Sequence, residues 1–79
     1  MDYEIVISPT ADGALAVTVR RWLAEQGQPV TQGRDLVEVT TEKIALYVTA
    51  PADGVLAEIR VPANATARVG QVVGLLRSE

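Results

Sequence analysis

Glu38-Val39-Thr40-Thr41-Glu42-Lys43-Ile44-Ala45-Leu46-Tyr47-Val48 reads as two short apolar strands with one lysine at the bend between them. Val37 and Val39 lead in, and Ile44, Leu46 and Val48 lead out with the period-2 spacing of strands that bury one face. Thr41, Glu42 and Lys43 break the apolar run. The bend holds no glycine or proline, although Gly33 precedes the hairpin and Gly54 follows it. A lysine at a hairpin tip is presented to solvent on a rigid support, where another protein can find and modify it. If Ile44, Leu46 and Val48 take the inner face, Tyr47 points outward, an exposed aromatic suited to a partner contact.

Downstream of the lysine, Ile44 to Thr49 ends in the turn Ala50-Pro51-Ala52-Asp53-Gly54. Val55 to Val61 is a further strand. Pro62-Ala63-Asn64-Ala65 is a second turn, in which Asn64 can take the left-handed conformation. Val69-Gly70 leads to a last strand, Gln71 to Leu76. Upstream, Asp35 to Thr40 enters the hairpin, and Gly27 to Gly33 is a loop holding a very short strand. Tyr3 to Ile7 alternates and is stopped by Ser8-Pro9, as an edge strand is. Thr10 to Gly13 is a loop. Ala14 to Glu25 reads two ways. Leu15, Val19, Trp22 and Leu23 fit a helical face, whereas β-branched Val17-Thr18-Val19 argues for a strand.

An internal repeat at a displacement of about 37 residues settles that segment. Gly33 falls on Gly70, Gly27 on Asn64, Leu36 on Val73, Val39 on Leu76, Trp22 on Ile59 and Val30 on Ala67. Thr18 to Leu23 therefore corresponds to Val55 to Arg60, whose strand character is stronger. Two such halves predict a pseudo-symmetric pair of antiparallel sheets closing on one core, a flattened barrel or sandwich.

The chain of 79 residues allows one small domain, spanning 1–79. It holds no cysteine and no histidine, which excludes disulfides, thiol nucleophiles, histidine acid–base chemistry and the usual zinc sites. Seven Lys/Arg against ten Asp/Glu give a net charge of −3. That mildly acidic balance, without a basic stripe, speaks against nucleic acid as a partner. No apolar run approaches ~20 residues, so no transmembrane span is expected. The N-terminus lacks the basic region of a signal peptide, and the expected compartment is the cytoplasm.

Lys43 is the first candidate site. An exposed tip excludes no water, so the chemistry suited to it is done to the domain rather than by it. Glu42 and Glu38 are the nearest carboxylates in sequence; on a small hairpin they have no cleft to flank, so Glu42 caps the turn or is read by a modifying enzyme. Thr40 and Thr41 are expected to bond their local backbone. Gly27, Gly33, Gly54 and Gly70 form no phosphate-cradling pattern and mark positions of positive φ or close packing. Trp22 belongs to the core or its edge.

These residues resemble the biotinyl/lipoyl attachment family, and more closely its lipoyl branch. The matching stretch is Leu36-Val37-Glu38-Val39-Thr40-Thr41-Glu42-Lys43-Ile44, followed by Ala50-Pro51-Ala52-Asp53-Gly54-Val55-Leu56; Arg21-Trp22-Leu23 and Gly27 to Asp35 fit the run before the hairpin. The resemblance implies an all-β flattened barrel of two four-stranded antiparallel sheets related by a pseudo-twofold axis, a barrel-sandwich hybrid. It implies that Lys43 carries lipoic acid in amide linkage, with Glu42, Thr41, Glu38 and Tyr47 read by a ligase or by partners.

By the same resemblance, the chain is a carrier without catalysis of its own, part of a dihydrolipoyl acyltransferase. Its expected partners are a lipoate ligase or lipoyl transferase, the 2-oxo acid decarboxylase component, the acyltransferase core and dihydrolipoyl dehydrogenase. The family's lipoyl tip usually reads Glu-Thr-Asp-Lys-Ala where this chain has Thr40-Thr41-Glu42-Lys43-Ile44. In the biotin branch, whose carriers serve carboxylases, the target lysine lies between two methionines. Here its neighbours are Glu42 and Ile44 and the one methionine is Met1, which disfavours biotin. A glycine-cleavage carrier shares the lipoyl chemistry but is usually longer. An unmodified interaction module of the same fold would leave Lys43 simply solvated.

Overall fold

A computed structural model describes residues 1–78. Alternation of buried and exposed side chains is plain in the stretch 16–20, where Val17 and Val19 are buried and Ala16, Thr18 and Arg20 exposed. The strands are β1 (Asp2–Val6), β2 (Ala16–Trp22), β3 (Pro29–Val30), β4 (Asp35–Thr40), β5 (Ala45–Thr49), β6 (Gly54–Ile59), β7 (Thr66–Arg68) and β8 (Val72–Arg77). They form two four-stranded antiparallel sheets, in the orders β1-β8-β6-β3 and β5-β4-β2-β7. The ambiguous segment is a strand, and β1 is an edge strand as expected. β7 has no apolar run of its own to announce it. Only its correspondence to β3 in the repeat points to it.

The repeat is a symmetry of register. Thr18 pairs Thr40, Val19 pairs Val39, Arg21 pairs Glu38 and Trp22 pairs Val37 in β2·β4; 37 residues on, Val55 pairs Arg77, Leu56 pairs Leu76, Glu58 pairs Leu75 and Ile59 pairs Gly74 in β6·β8. Even the irregularity repeats, between Val19 and Arg21 in one half and between Leu56 and Glu58 in the other. β5 against β4 likewise matches β1 against β8, so the first strand stands in one sheet where the strand after the lysine stands in the other. Leu36, Val39, Val73 and Leu76 occupy equivalent places in one shared core and are all at most 1% exposed. Trp22 packs at its edge, its indole N–H donating to the Val61 carbonyl at 2.8 Å.

The turn residues obey the same symmetry. Gly27 and Asn64 have φ of +87° and +74°, and Gly33 and Gly70 have φ of +86° and +90°. These left-handed values favour glycine or asparagine for want of a Cβ clash. Gly54 serves close packing instead: a Cβ there would collide with the Arg77 backbone carbonyl.

The two halves differ in one connection. β4 and β5 are joined by the bend 41–44. At the pseudo-equivalent place, beside β8 and β1, Met1 and Ser78 meet: the terminal ammonium donates to the Ser78 carbonyl at 3.0 Å, and the Ser78 N–H to the Met1 carbonyl at 2.9 Å. This meeting of Met1 with Ser78 stands where the 37-residue repeat would put the partner of the lysine bend, and Glu79 lies outside the described residues.

Candidate functional site: the lysine tip

Thr41, Glu42, Lys43 and Ile44 make the bend that closes the β4·β5 hairpin. The Thr41 N–H donates to the Ile44 carbonyl at 2.8 Å. The Thr41 hydroxyl oxygen accepts the N–H groups of Lys43 and Ile44, each at 3.1 Å. A side chain bonding backbone a few residues on supplies locally what glycine or proline would otherwise supply, which explains a tight bend without either. Of the two roles open to Glu42, capping the turn is taken by Thr41 and presentation to a modifying enzyme remains; the local bonding expected of Thr41 is present. Glu42 is exposed, its carboxylate left to solvent beside Lys43.

Lys43 is exposed and forms none of the ion pairs among the described residues. It is also the one lysine of the chain, the remaining basic residues being arginines. Its primary amine shares the molecule only with the N-terminal amine, which is hydrogen-bonded to Ser78.

Glu38 and Tyr47 are direct cross-strand partners, set back from the tip on β4 and β5. Tyr47 is 51% exposed, as its place in the alternation predicts. It lines an open apolar groove between β1 and β5 together with Ile5, Ile7, Pro9 and Leu46. Glu38 is more enclosed than an outward carboxylate need be, because the Arg21 guanidinium donates to it at 2.9 Å. The structure thus groups Thr41, Glu42 and Lys43 in one bend and keeps Glu38 and Tyr47 as a separate pair behind it.

Asp12 is the residue that reading along the chain misses. The loop between β1 and β2 folds over the tip, and the Thr41 hydroxyl donates to Asp12 Oδ2 at 2.7 Å. Asp12 Oδ1 accepts from the Thr10 hydroxyl at 2.6 Å, and the Ala14 N–H donates to Thr10 Oγ1 at 2.9 Å. Hydrogen bonds from Thr10, and then from Thr41, hold the Asp12 carboxyl below its ordinary value, because they stabilise its ionised form. Asp12, Ala14, Ala16, Thr41, Glu42 and Lys43 together line a shallow recess at the foot of the lysine.

The sequence profile of the biotin/lipoyl family, described as biotin-requiring enzyme, matches residues 5–76. The chain belongs to the biotinyl/lipoyl attachment family. Within it, the chain is similar end to end to the lipoyl domain of the 2-oxoglutarate dehydrogenase complex from Azotobacter vinelandii. The two share 29% identity, 100% of this chain and 99% of that one are covered, and the TM-score is 0.71. A single-chain, multi-domain long-chain acyl-CoA carboxylase matches with a TM-score of 0.82 over 99% of this chain and 7% of that one. At 18% identity, that likeness shows the fold alone.

Among curated relatives, the dihydrolipoyllysine-residue succinyltransferase component of the 2-oxoglutarate dehydrogenase complex of Rickettsia felis is 31% identical over 74 residues, 94% of this chain. The chain spans about a fifth of the length of that relative, 18%. Family membership implies a covalently attached cofactor, and the tip fits one: the amine is exposed, unpaired with any carboxylate among the described residues, and carried on a bend with no mobile glycine.

Proposed function

We propose that the 79-residue chain is a single lipoyl carrier domain, that Lys43 holds lipoic acid in amide linkage, and that the arm so formed serves a 2-oxo acid dehydrogenase complex. The observation that carries this reading is the lone lysine at the tip of the closed hairpin, flanked by Glu42 and Ile44 instead of methionines. When attached, the group supplies a strained disulfide that can take up an acyl group together with two electrons.

The chain's own residues supply position. Thr41 fixes the bend, β4 and β5 hold it on a packed core, and the exposed stem of Lys43 leaves the arm free to turn. A tethered substrate gains its rate advantage through effective concentration, so a rigid base with a free arm suits transfer among the components of one assembly. The proposed partners are a lipoate ligase or lipoyl transferase, a 2-oxo acid decarboxylase, an acyltransferase core and dihydrolipoyl dehydrogenase. Glu42 and Tyr47 are exposed where such partners would meet the tip.

Intact mass after co-expression with lipoate and biotin ligases tests the proposal. A lipoyl-sized increment is expected, absent in Lys43→Arg, with the net charge moving from −3 to about −4 on a native gel as the ammonium becomes an amide. A biotin-sized increment, or none, overturns it.

A further inference from the structure

Asp12 lies far in sequence from the lysine bend, yet its carboxylate is committed to it. One oxygen accepts from Thr10 at 2.6 Å and the other from Thr41 at 2.7 Å. A threonine hydroxyl offers one proton and two lone pairs, and at Thr41 all are used. The proton goes to Asp12, and the oxygen accepts the N–H groups of Lys43 and Ile44, each at 3.1 Å. With its proton directed by a carboxylate, the hydroxyl cannot rotate without giving up a charge-assisted hydrogen bond, about twice as strong as a neutral one. Without that acceptor the hydroxyl is a free rotor, and the lone pairs that define the bend are no longer aimed at the two N–H groups.

Resting on the reading of Lys43 as the acylated residue, we propose that Asp12 is a positioning residue: through the Thr41 hydroxyl it fixes the bend 41–44 and thereby the place at which the Lys43 amine meets an activated acyl group. In that transfer the amine nitrogen attacks the carbonyl of an acyl adenylate. The C–N amide bond forms, the bond from the carbonyl carbon to the phosphate oxygen breaks with its electron pair leaving on adenylate, and the surplus amine proton passes to solvent. Displacement of a reacting atom by ~1 Å can cost on the order of 100-fold in rate, so a loosened bend is visible in kcat/KM. Asp12 also accepts from Thr10 within its own loop, but it reaches the bend through Thr41, so its effect on acylation should vanish once the Thr41 hydroxyl is gone, which separates this role from a general contribution to folding.

The test compares the wild type with Asp12→Ala, Thr41→Val, Thr41→Ser and the double variant Asp12→Ala/Thr41→Val. Lipoate ligase supplied with lipoate and ATP gives kcat/KM, and amide hydrogen exchange is followed at Lys43 and Ile44. Asp12→Ala is expected to lower kcat/KM by about 10-fold and to speed exchange at Lys43 and Ile44, with exchange at Leu36 and Val39 in the core unchanged. Thr41→Ser keeps the wild-type rate because the hydroxyl remains. Thr41→Val is at least as slow as Asp12→Ala, and the double variant is no slower than Thr41→Val.

A wild-type acylation rate in Asp12→Ala overturns the proposal, as does a double variant slowed by the product of the two single effects. If the wild type itself takes no acyl group, the carrier reading falls. The exchange arm then decides the clamp alone: unchanged exchange at Lys43 and Ile44 in Asp12→Ala overturns it, and faster exchange there upholds it.

Discussion

The lysine end and its pseudo-equivalent at Met1 and Ser78 are built on the same strands in the same register, yet only one is closed by a bend. β4 and β5 run into Thr41–Ile44, which is held by its own hydroxyl and by Asp12 from the neighbouring loop. β8 and β1 end side by side, joined by backbone hydrogen bonds between Met1 and Ser78 and by the exposed Arg77–Asp2 pair at 3.2 Å. The strand scaffold is therefore alike at both ends in register. The core is shared and symmetric, and the asymmetry resides wholly in what joins the strands.

Excavating the core on each side puts that symmetry under the greatest strain. Leu36→Ala and Leu76→Ala each remove a fully buried side chain, and each is expected to cost about 2–5 kcal/mol. In a domain whose whole stability is of order 5 kcal/mol, either should leave a partly unfolded chain, as read by thermal melting with circular dichroism. Similar losses from the two halves support a single cooperative core. A large loss from Leu36→Ala with a negligible one from Leu76→Ala would show that the lysine half holds itself together.

A smaller effect comes from the turns. Gly33→Ala and Gly70→Ala place a Cβ on residues with φ of +86° and +90°, where no neighbour lies in the way. The cost is therefore one of backbone alone, about 1–2 kcal/mol at each, and the two melting temperatures should fall by similar amounts. Unequal falls would mean that the equivalence of register does not extend to the energetics of the turns.

The smallest effect separates the ends by pH. The Asp12 carboxyl is lowered in the folded chain by its hydrogen bonds with Thr10 and Thr41, so its hold on the tip is complete above the unfolded value of 3.8 and is lost as pH falls through the lowered folded value. Protection of the Lys43 and Ile44 amides should stay level from neutral pH down to about 5 and decline only below about 4. The Ser78 N–H, whose acceptor is the Met1 carbonyl, should show no such step. A decline at Lys43 and Ile44 already at pH 6 would contradict the assignment to Asp12.

The fold can be read from the chain because its information is periodic. Val17 and Val19, Val37 and Val39, and Leu46 and Val48 mark inward faces, and the 37-residue offset turns two weak readings of Thr18–Leu23 into one. β7 is harder to see: Thr66–Arg68 contributes only Ala67 to the core, too little for a pattern. At the tip, Lys43 and the outward Tyr47 follow from the hairpin alone. That Thr41 alone closes the bend, leaving Glu42 to solvent, does not, because both can cap a turn and only geometry shows which oxygen reaches the N–H groups. Asp12 is invisible for a further reason. Its bond to Thr41 joins two loops 29 residues apart, and such a contact has neither period nor local spacing.

The meeting of Met1 with Ser78 also sets the direction in which the domain points. β1 and β8 carry the chain away from that meeting point to Ile7 and Gly70, and the next loop sets Asp12 on the lysine bend, so the Met1–Ser78 contact and the lysine bend lie toward opposite ends of a body 36 Å long. Any polypeptide joined at either terminus would leave from the pole away from Lys43. On the proposed reading of Lys43, the folded domain is the rigid boom of a crane, its own length adding to the reach of the flexible hook in front.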